Sequence, residues 1–241
     1  EMRKQNIKDK ILSEDPIKGS TFPLINRIGY SKMYRFGSPP NYNPAPEDSI
    51  EELGKNNNVT AAALAYEILL ENDGNNFIYA PLVNYADHTF GVCQKMLEDK
   101  NAIMGLGDGG AHVGFILDAG YPTWLISYWS VKKKVFSMEE TIRRLTSDTA
   151  SAAGLKDRGC LKVGLKADLN ILDWEKIGSS DPFMVQDLPA GGRRLMQHTY
   201  GYVATIVSGK ITYQNGDATS ERPGTLVRSR HDNHKATEYI A

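Results

Sequence analysis

Over the first 14 positions Ile7, Ile11 and Leu12 recur at helical spacing inside a run of Lys, Asp and Glu. The pattern predicts an amphipathic surface helix closed by Asp15-Pro16. From Gly19 to Pro46 it dissolves into Gly, Pro, Asn and Tyr, with only Met33 to Phe36 extended before the turn-rich Gly37-Ser38-Pro39-Pro40-Asn41-Tyr42. A loop of that length inside a compact domain is usually functional or a lid. Pro46-Glu47-Asp48-Ser49 opens a short helix with its acidic residues in the first turn, where the helix dipole favours them. Ala62, Leu64, Ala65, Ile68 and Leu69 give Thr60 to Leu70 one broad apolar helical face, which Asn72-Asp73-Gly74 ends.

Phe77 to Ala80 reads as a strand leading into Asn84-Tyr85, and Asp87 as the N-cap of a helix to about Lys100. A second strand is expected over Ile103 to Leu106. Helix, strand, helix, strand in that order argues for parallel strands joined by crossover helices. After an aromatic-rich linker with Trp124 and Trp129, Ser137-Met138-Glu139-Glu140 forms a capping box, Glu140 reaching back to the cap of a helix that carries Ile142 and Leu145. A short turn through Ala150 to Ala153 ends at Gly154. Beyond residue 155 the period changes to two. Asp168 to Asp173 alternates, Tyr202 to Val207 and Lys210 to Tyr213 flank a hairpin turn at Ser208-Gly209, and Asn215-Gly216 is a further turn. The chain thus divides into an α/β body over 1–155 and a β-rich annex with a polar tail over 156–241.

Composition narrows the function. With 28 basic and 29 acidic residues, the net charge of -1 supplies no field to hold nucleic acid or an anionic membrane surface. Cys93 and Cys160 stand in no metal-ligand or disulfide spacing, which fits a reducing, cytoplasmic setting. No apolar run approaches the roughly 20 residues of a membrane span.

The chemistry concentrates in Ile103-Met104-Gly105-Leu106-Gly107-Asp108-Gly109-Gly110-Ala111-His112. Gly105, Gly107 and Gly110 fit a dinucleotide-binding fingerprint, but an ionised Asp108 inside the phosphate cradle would repel a pyrophosphate. A short apolar run that delivers one carboxylate into a loop of glycines is instead how a barrel strand presents a catalytic or metal-binding group. Asp108 is therefore the candidate catalytic and metal-binding residue. His112, four positions on, faces either the substrate or a carboxylate. Asn84 and Tyr85 are candidates for the pocket rim, Asp118, Trp124 and Trp129 for an acyl pocket, and Arg193 or Arg194 for a bidentate clamp on a substrate carboxylate. His88 reads as a surface or capping residue at a helix start, and His231 and His234 lie in the polar tail.

Gly105-Leu106-Gly107-Asp108-Gly109-Gly110-Ala111-His112-Val113, Leu145-Thr146-Ser147 with Ala153-Gly154-Leu155, Asp157-Arg158-Gly159 with Leu161, Val163 and Gly164, and Ala167-Asp168-Leu169-Asn170 occur in that order. Together they resemble the C-terminal part of amidohydrolase-superfamily enzymes. Within it the chain is most similar to the N-acyl-D-amino-acid deacylase (D-aminoacylase) group, which Asp187-Leu188-Pro189-Ala190-Gly191-Gly192-Arg193-Arg194 and Arg222-Pro223-Gly224 also resemble.

The resemblance implies a (β/α)8 TIM-type barrel holding one or two zinc-type divalent ions, with a small β-sandwich annex built from both ends of the chain. It implies ligands from a His-x-His on the first strand, histidines on the fifth and sixth, and an Asp ending the eighth, which Asp108 matches. This sequence has five histidines and no His-x-His, and too few strands precede residue 103 for a full barrel. The expectation is the C-terminal part of such a barrel plus part of the annex, partnered by a missing N-terminal segment of the same protein and inactive alone.

The implied function is hydrolysis of the amide C–N bond of an N-acyl-D-amino acid, Asp108 serving as zinc ligand and proton shuttle. A cyclic amide or ureido substrate is the nearest alternative. A non-catalytic interaction remnant is the alternative of another class.

Overall fold

Hydroxyl caps start three of the described helices, and the one expected to open at Pro46 begins instead at Ile50. In the computed structural model, which describes residues 1–14, 28–105 and 112–227, Ser49 accepts from the Glu52 amide to start α2 (Ile50–Asn56) and Thr60 accepts from the Ala63 amide to start α3 (Ala61–Leu70). Each hydroxyl satisfies a first-turn N–H that has no partner within its helix. The predicted N-terminal helix is α1 (Gln5–Ser13), tied to α3 by Lys8–Glu67 and by the Tyr66 hydroxyl on the Met2 carbonyl.

Backbone contacts divide the chain into Glu1–Ala102 and Ile103–Ala241. In the first unit the core is Ile50, Ala65 and Ile68, with Met33, Leu64 and Ile78 packed against it. The apolar face of α3 thus lies on β1 (Tyr34–Arg35) and β2 (Ile78–Tyr79), which pair with Tyr34 opposite Tyr79. The pairing is antiparallel, while the parallel order was expected of residues 77–80 with 103–106, where Ile103 to Gly105 form no strand. The antiparallel direction follows from the connection. Two helices, not one, lie between the strands, and the turn after α2 folds back so close that a side chain at the helical Gly54 would stand 3.0 Å from the Val59 carbonyl. One crossover helix returns the chain to the end it left, whereas a helix pair delivers it to the opposite end. Asn72, Asp73 and Gly74, all at positive φ, stop α3 as predicted. The next helix, α4, spans Gly91–Glu98 and is not capped by Asp87, whose carboxylate accepts the Thr89 amide in a turn ahead of it.

In the second unit, Ile103 to Gly105 form no strand and Ile103 is 56% exposed; the rest of the predicted strand, Leu106, lies outside the described residues. The expected aromatic linker is helical instead. α5 (Tyr121–Trp124) continues into wider π turns over Leu125–Lys132, where the Lys133 amide reaches five residues back to the Tyr128 carbonyl. Leu125, Ile126, Tyr128 and Trp129 bury themselves there, an apolar density that linkers lack. Ser137 caps α6 (Met138–Leu145) by accepting the Glu140 amide, but the Glu140 carboxylate is taken by Arg144 rather than returned to the cap. α7 (Ser147–Ala152) ends before Gly154 at positive φ.

The β-rich part is antiparallel throughout the described residues. β3 (Leu169–Leu172), β8 (Tyr202–Val207), β9 (Lys210–Gln214) and β10 (Asp217–Ala218) form a sheet ordered β10-β9-β8-β3. Its two hairpin turns are those read from sequence. Ser208-Gly209 and Asn215-Gly216 all take positive φ, the conformation of two-residue turns that match strand twist. β4 (Gly178–Ser179) pairs β7 (Thr199–Tyr200), and β5 (Phe183–Leu188) pairs β6 (Gly192–Met196). No described helix is long and apolar enough to cross a membrane.

Ser137→Ala should lower stability by about 0.5–2 kcal/mol, read as a shift in denaturation midpoint, because one first-turn amide loses its acceptor. Gly201→Ala should cost more, about 2 kcal/mol or above, since Gly201 sits at φ +84° and an added Cβ would meet Ile177 Cα at 2.6 Å. Equal midpoints for the two variants would refute that ranking.

Candidate functional site

Asp108 lies outside the described residues, with the rest of 106–111 and with His231 and His234. What is described begins at His112, in a turn at φ 52°. Its carbonyl accepts the Phe115 and Ile116 amides, each at 3.0 Å, and its imidazole stacks on Phe115 at 5.4 Å. One residue on, the Val113 carbonyl accepts the Leu195 amide at 2.8 Å. That N–H points off β6 on the side away from β5, so the chain next to His112 docks on the free edge of β6, two residues from Arg193. Two candidates, His112 and Arg193, thus share one strand edge.

The neighbouring arginines have different fates. Arg194 forks onto Asp187 across the β5–β6 hairpin, Nε to Oδ1 at 2.8 Å and Nη2 to Oδ2 at 2.6 Å. A guanidinium so engaged already has its carboxylate. The Arg194 hydrogen bonds hold the Asp187 carboxyl below the usual range. Arg193 is exposed and makes no ion pair among the described residues.

Asn84 and Tyr85 belong to the first unit. Asn84 is exposed, at φ 60°, and its carbonyl accepts the Cys93 thiol at 3.5 Å. Burial pushes that thiol up, away from nucleophilic use. Tyr85 is 2% exposed, its hydroxyl 3.0 Å from both Asn43 Oδ1 and the Pro44 carbonyl, so it acts as an anchor beneath Asn84. His88 does not open a helix. Its Nδ1 lies 2.6 Å from the Tyr34 hydroxyl, a pairing across 54 residues that local periodicity could not reveal. Trp124 stacks on Tyr128 at 4.3 Å and Trp129 is core. Asp118 opens a 3₁₀ turn at the surface.

The sequence motifs also contain a device that spacing did not disclose. Arg158 holds Asp157 and reaches Asp168 Oδ2 at 3.0 Å, while Asp168 Oδ1 accepts the Ser208 amide at 2.8 Å. These charged residues therefore serve the fold. The described residues do not fit a divalent ion: no three His, Cys, Asp or Glu side chains among them gather to hold one.

The described candidates of this mixed α/β chain fall in two places, Asn84 and Tyr85 in a turn of the first unit and His112 and Arg193 at the β6 edge of the second. The amidohydrolase family model matches residues 67–213, more than half of the chain, and the chain belongs to that family, whose members are hydrolases of C–N bonds and generally depend on a metal. A dihydroorotase of Lactobacillus acidophilus is 36% identical over 86 residues, which is 35% of this chain and 20% of that protein. The chain thus matches about a fifth of the length of that relative. No solved structure matches it.

The Arg194–Asp187 fork predicts a titration. Because Asp187 is held low, its contribution is present above the ordinary carboxylate range and is lost as pH falls through the lowered value. Carboxyl NMR should show Asp187 titrating below the ordinary aspartate value, and Arg194→Gln should return it toward that value.

Proposed function

We propose that this chain serves the hydrolysis of a carbon–nitrogen bond in a small amide, with Asp108 as the carboxylate that moves the proton. The observation that carries the reading is the family match over 67–213, which spans Asp108 and also Asn84, Tyr85, His112 and Arg193. In this chemistry water attacks the carbonyl carbon and a C–O bond forms. A carboxylate accepts the proton of that water and delivers it to the nitrogen as the C–N bond breaks. Asp108 is also the donor we assign to a zinc-type ion.

The preferred substrate is an N-acyl-D-amino acid. Such a molecule presents a carboxylate, and the exposed Arg193 guanidinium on the β6 edge is suited to it. His112 on the same edge and Asn84 over its Tyr85 anchor are the remaining proposed contacts. The motifs around Asp108 and Asp187 support this choice. The second reading, a cyclic amide, is favoured by the name of the dihydroorotase relative.

Amine release from an N-acetyl-D-amino acid, set beside ring opening of a cyclic amide, separates the two. On whichever substrate is turned over, Asp108→Asn should lower turnover by about 10²–10⁴-fold with the fold intact by circular dichroism, because an amide fills the space but moves no proton. A variant that keeps more than about a tenth of the turnover overturns the role of Asp108.

A further inference from the structure

The segment 80–90 holds two residues in a backbone conformation that side chains disfavour, Asn84 at φ 60° and His88 at φ 57°. Asn and His tolerate it better than most residues, yet each placement must be secured by neighbouring bonds. Three contacts secure it from residues 32–44. Lys32 Nζ donates to the Ala86 carbonyl at 3.2 Å, the Tyr85 hydroxyl meets Asn43 and Pro44, and the Tyr34 hydroxyl meets His88 Nδ1.

The last is the most demanding. Tyr34 is 1% exposed and sits in the β1–β2 ladder, so its hydroxyl cannot turn to water instead. Burial first, and the nearby Asp48 second, push the Tyr34 phenol up, which keeps it protonated. The phenol and Nδ1 thus share one hydrogen bond, in which the ring tautomer decides which atom carries the proton.

We propose that His88 and Tyr34 form a positioning pair that fixes the Asn84–Tyr85 turn, and so sets how tightly the substrate is held. The link to substrate rests on the proposed function above; the link between the pair and the turn does not. Neither residue touches the reacting bond, so the pair should govern binding rather than chemistry.

His88→Gly removes the imidazole while suiting the positive φ, so it tests the hydrogen bond without adding strain. His88→Asn restores a hydrogen-bonding group where Nδ1 was, and also tolerates that φ. In the full enzyme, amide hydrogen exchange at Tyr85 to Thr89 should quicken about tenfold in His88→Gly and in Tyr34→Phe. It should not quicken further in the double variant, because both changes break one bond. It should return toward wild type in His88→Asn.

With the N-acetyl-D-amino acid as probe, KM should rise about tenfold in the two damaged variants with kcat within about threefold, and recover in His88→Asn. Unchanged exchange at these amides overturns the pairing whatever the activity. Quickened exchange with unchanged KM overturns the positioning role and leaves a purely structural bond. Loss of the Asp108 assignment would register only in the Asp108→Asn assay, so the two failures are told apart.

Discussion

The carboxylate of Asp168 uses its two oxygens on two different parts of the chain. One accepts Arg158 Nη1 and the other the Ser208 amide, forty residues on. The Gly209 amide then closes on the Ala167 carbonyl at 2.9 Å, and the Lys166 amide on that of Asp157 at 2.8 Å. These four bonds bring the loop from Asp157, the start of β3 and the β8–β9 turn to one point. Ser208 sits at φ 50°, costly for a residue with a Cβ, and the carboxylate on its amide offsets that cost. With the turn pinned, Leu169 must face Ile206, and a slip of one residue would turn every β3 side chain to the other face of the sheet.

What was legible in the sequence was what is local. Ser137 announces a helix start because the hydroxyl that caps and the amide it accepts are three residues apart, whereas Ser49 caps a helix that was expected to open at Pro46. Ser208-Gly209 and Asn215-Gly216 announce hairpins because those residues tolerate positive φ. The antiparallel β1–β2 pair was not legible, since strand direction depends on how the two helices between them are joined after Asn56. Nor was the helix over Tyr121–Lys132, whose aromatic, β-branched composition is weak in helix propensity and is held helical by burial of Leu125, Ile126 and Trp129. The β5–β6 hairpin went unread although Phe183-Met184-Val185 and Leu195-Met196 flank Pro189-Ala190-Gly191-Gly192; its three-residue 3₁₀ turn lacks the two-residue signature.

The candidate site was legible in its residue types and not in its supports. Asp108 stands out because glycines surround it, and its proposed role rests on that and on the family. Arg193 and Arg194 look alike in sequence. Strand alternation sends their side chains to opposite faces of β6, and Asp187 on the partner strand claims the second, leaving the first exposed. Tyr85 looks like a rim residue because it follows a strand, but an aromatic ring beside a polar tip is as well suited to be buried with its hydroxyl satisfied, as Asn43 and Pro44 allow.

Loops that carry function cannot be held by ladder hydrogen bonds alone, because their backbones must depart from strand and helix to present side chains. Here long-range contacts replace the ladder. Val113 to Leu195 holds the turn that follows the Asp108 segment, and Tyr34 to His88 holds the turn that follows β2. The first is backbone to backbone and so indifferent to side-chain identity, which leaves the proposed contacts His112 and Arg193 at that edge open to change. The second joins two side chains, so it ties the geometry of Asn84 to what stands at positions 34 and 88. Substitution should therefore be tolerated at the β6 edge and resisted at the Asn84 turn, a difference that follows from which atoms make each bond rather than from how many bonds there are.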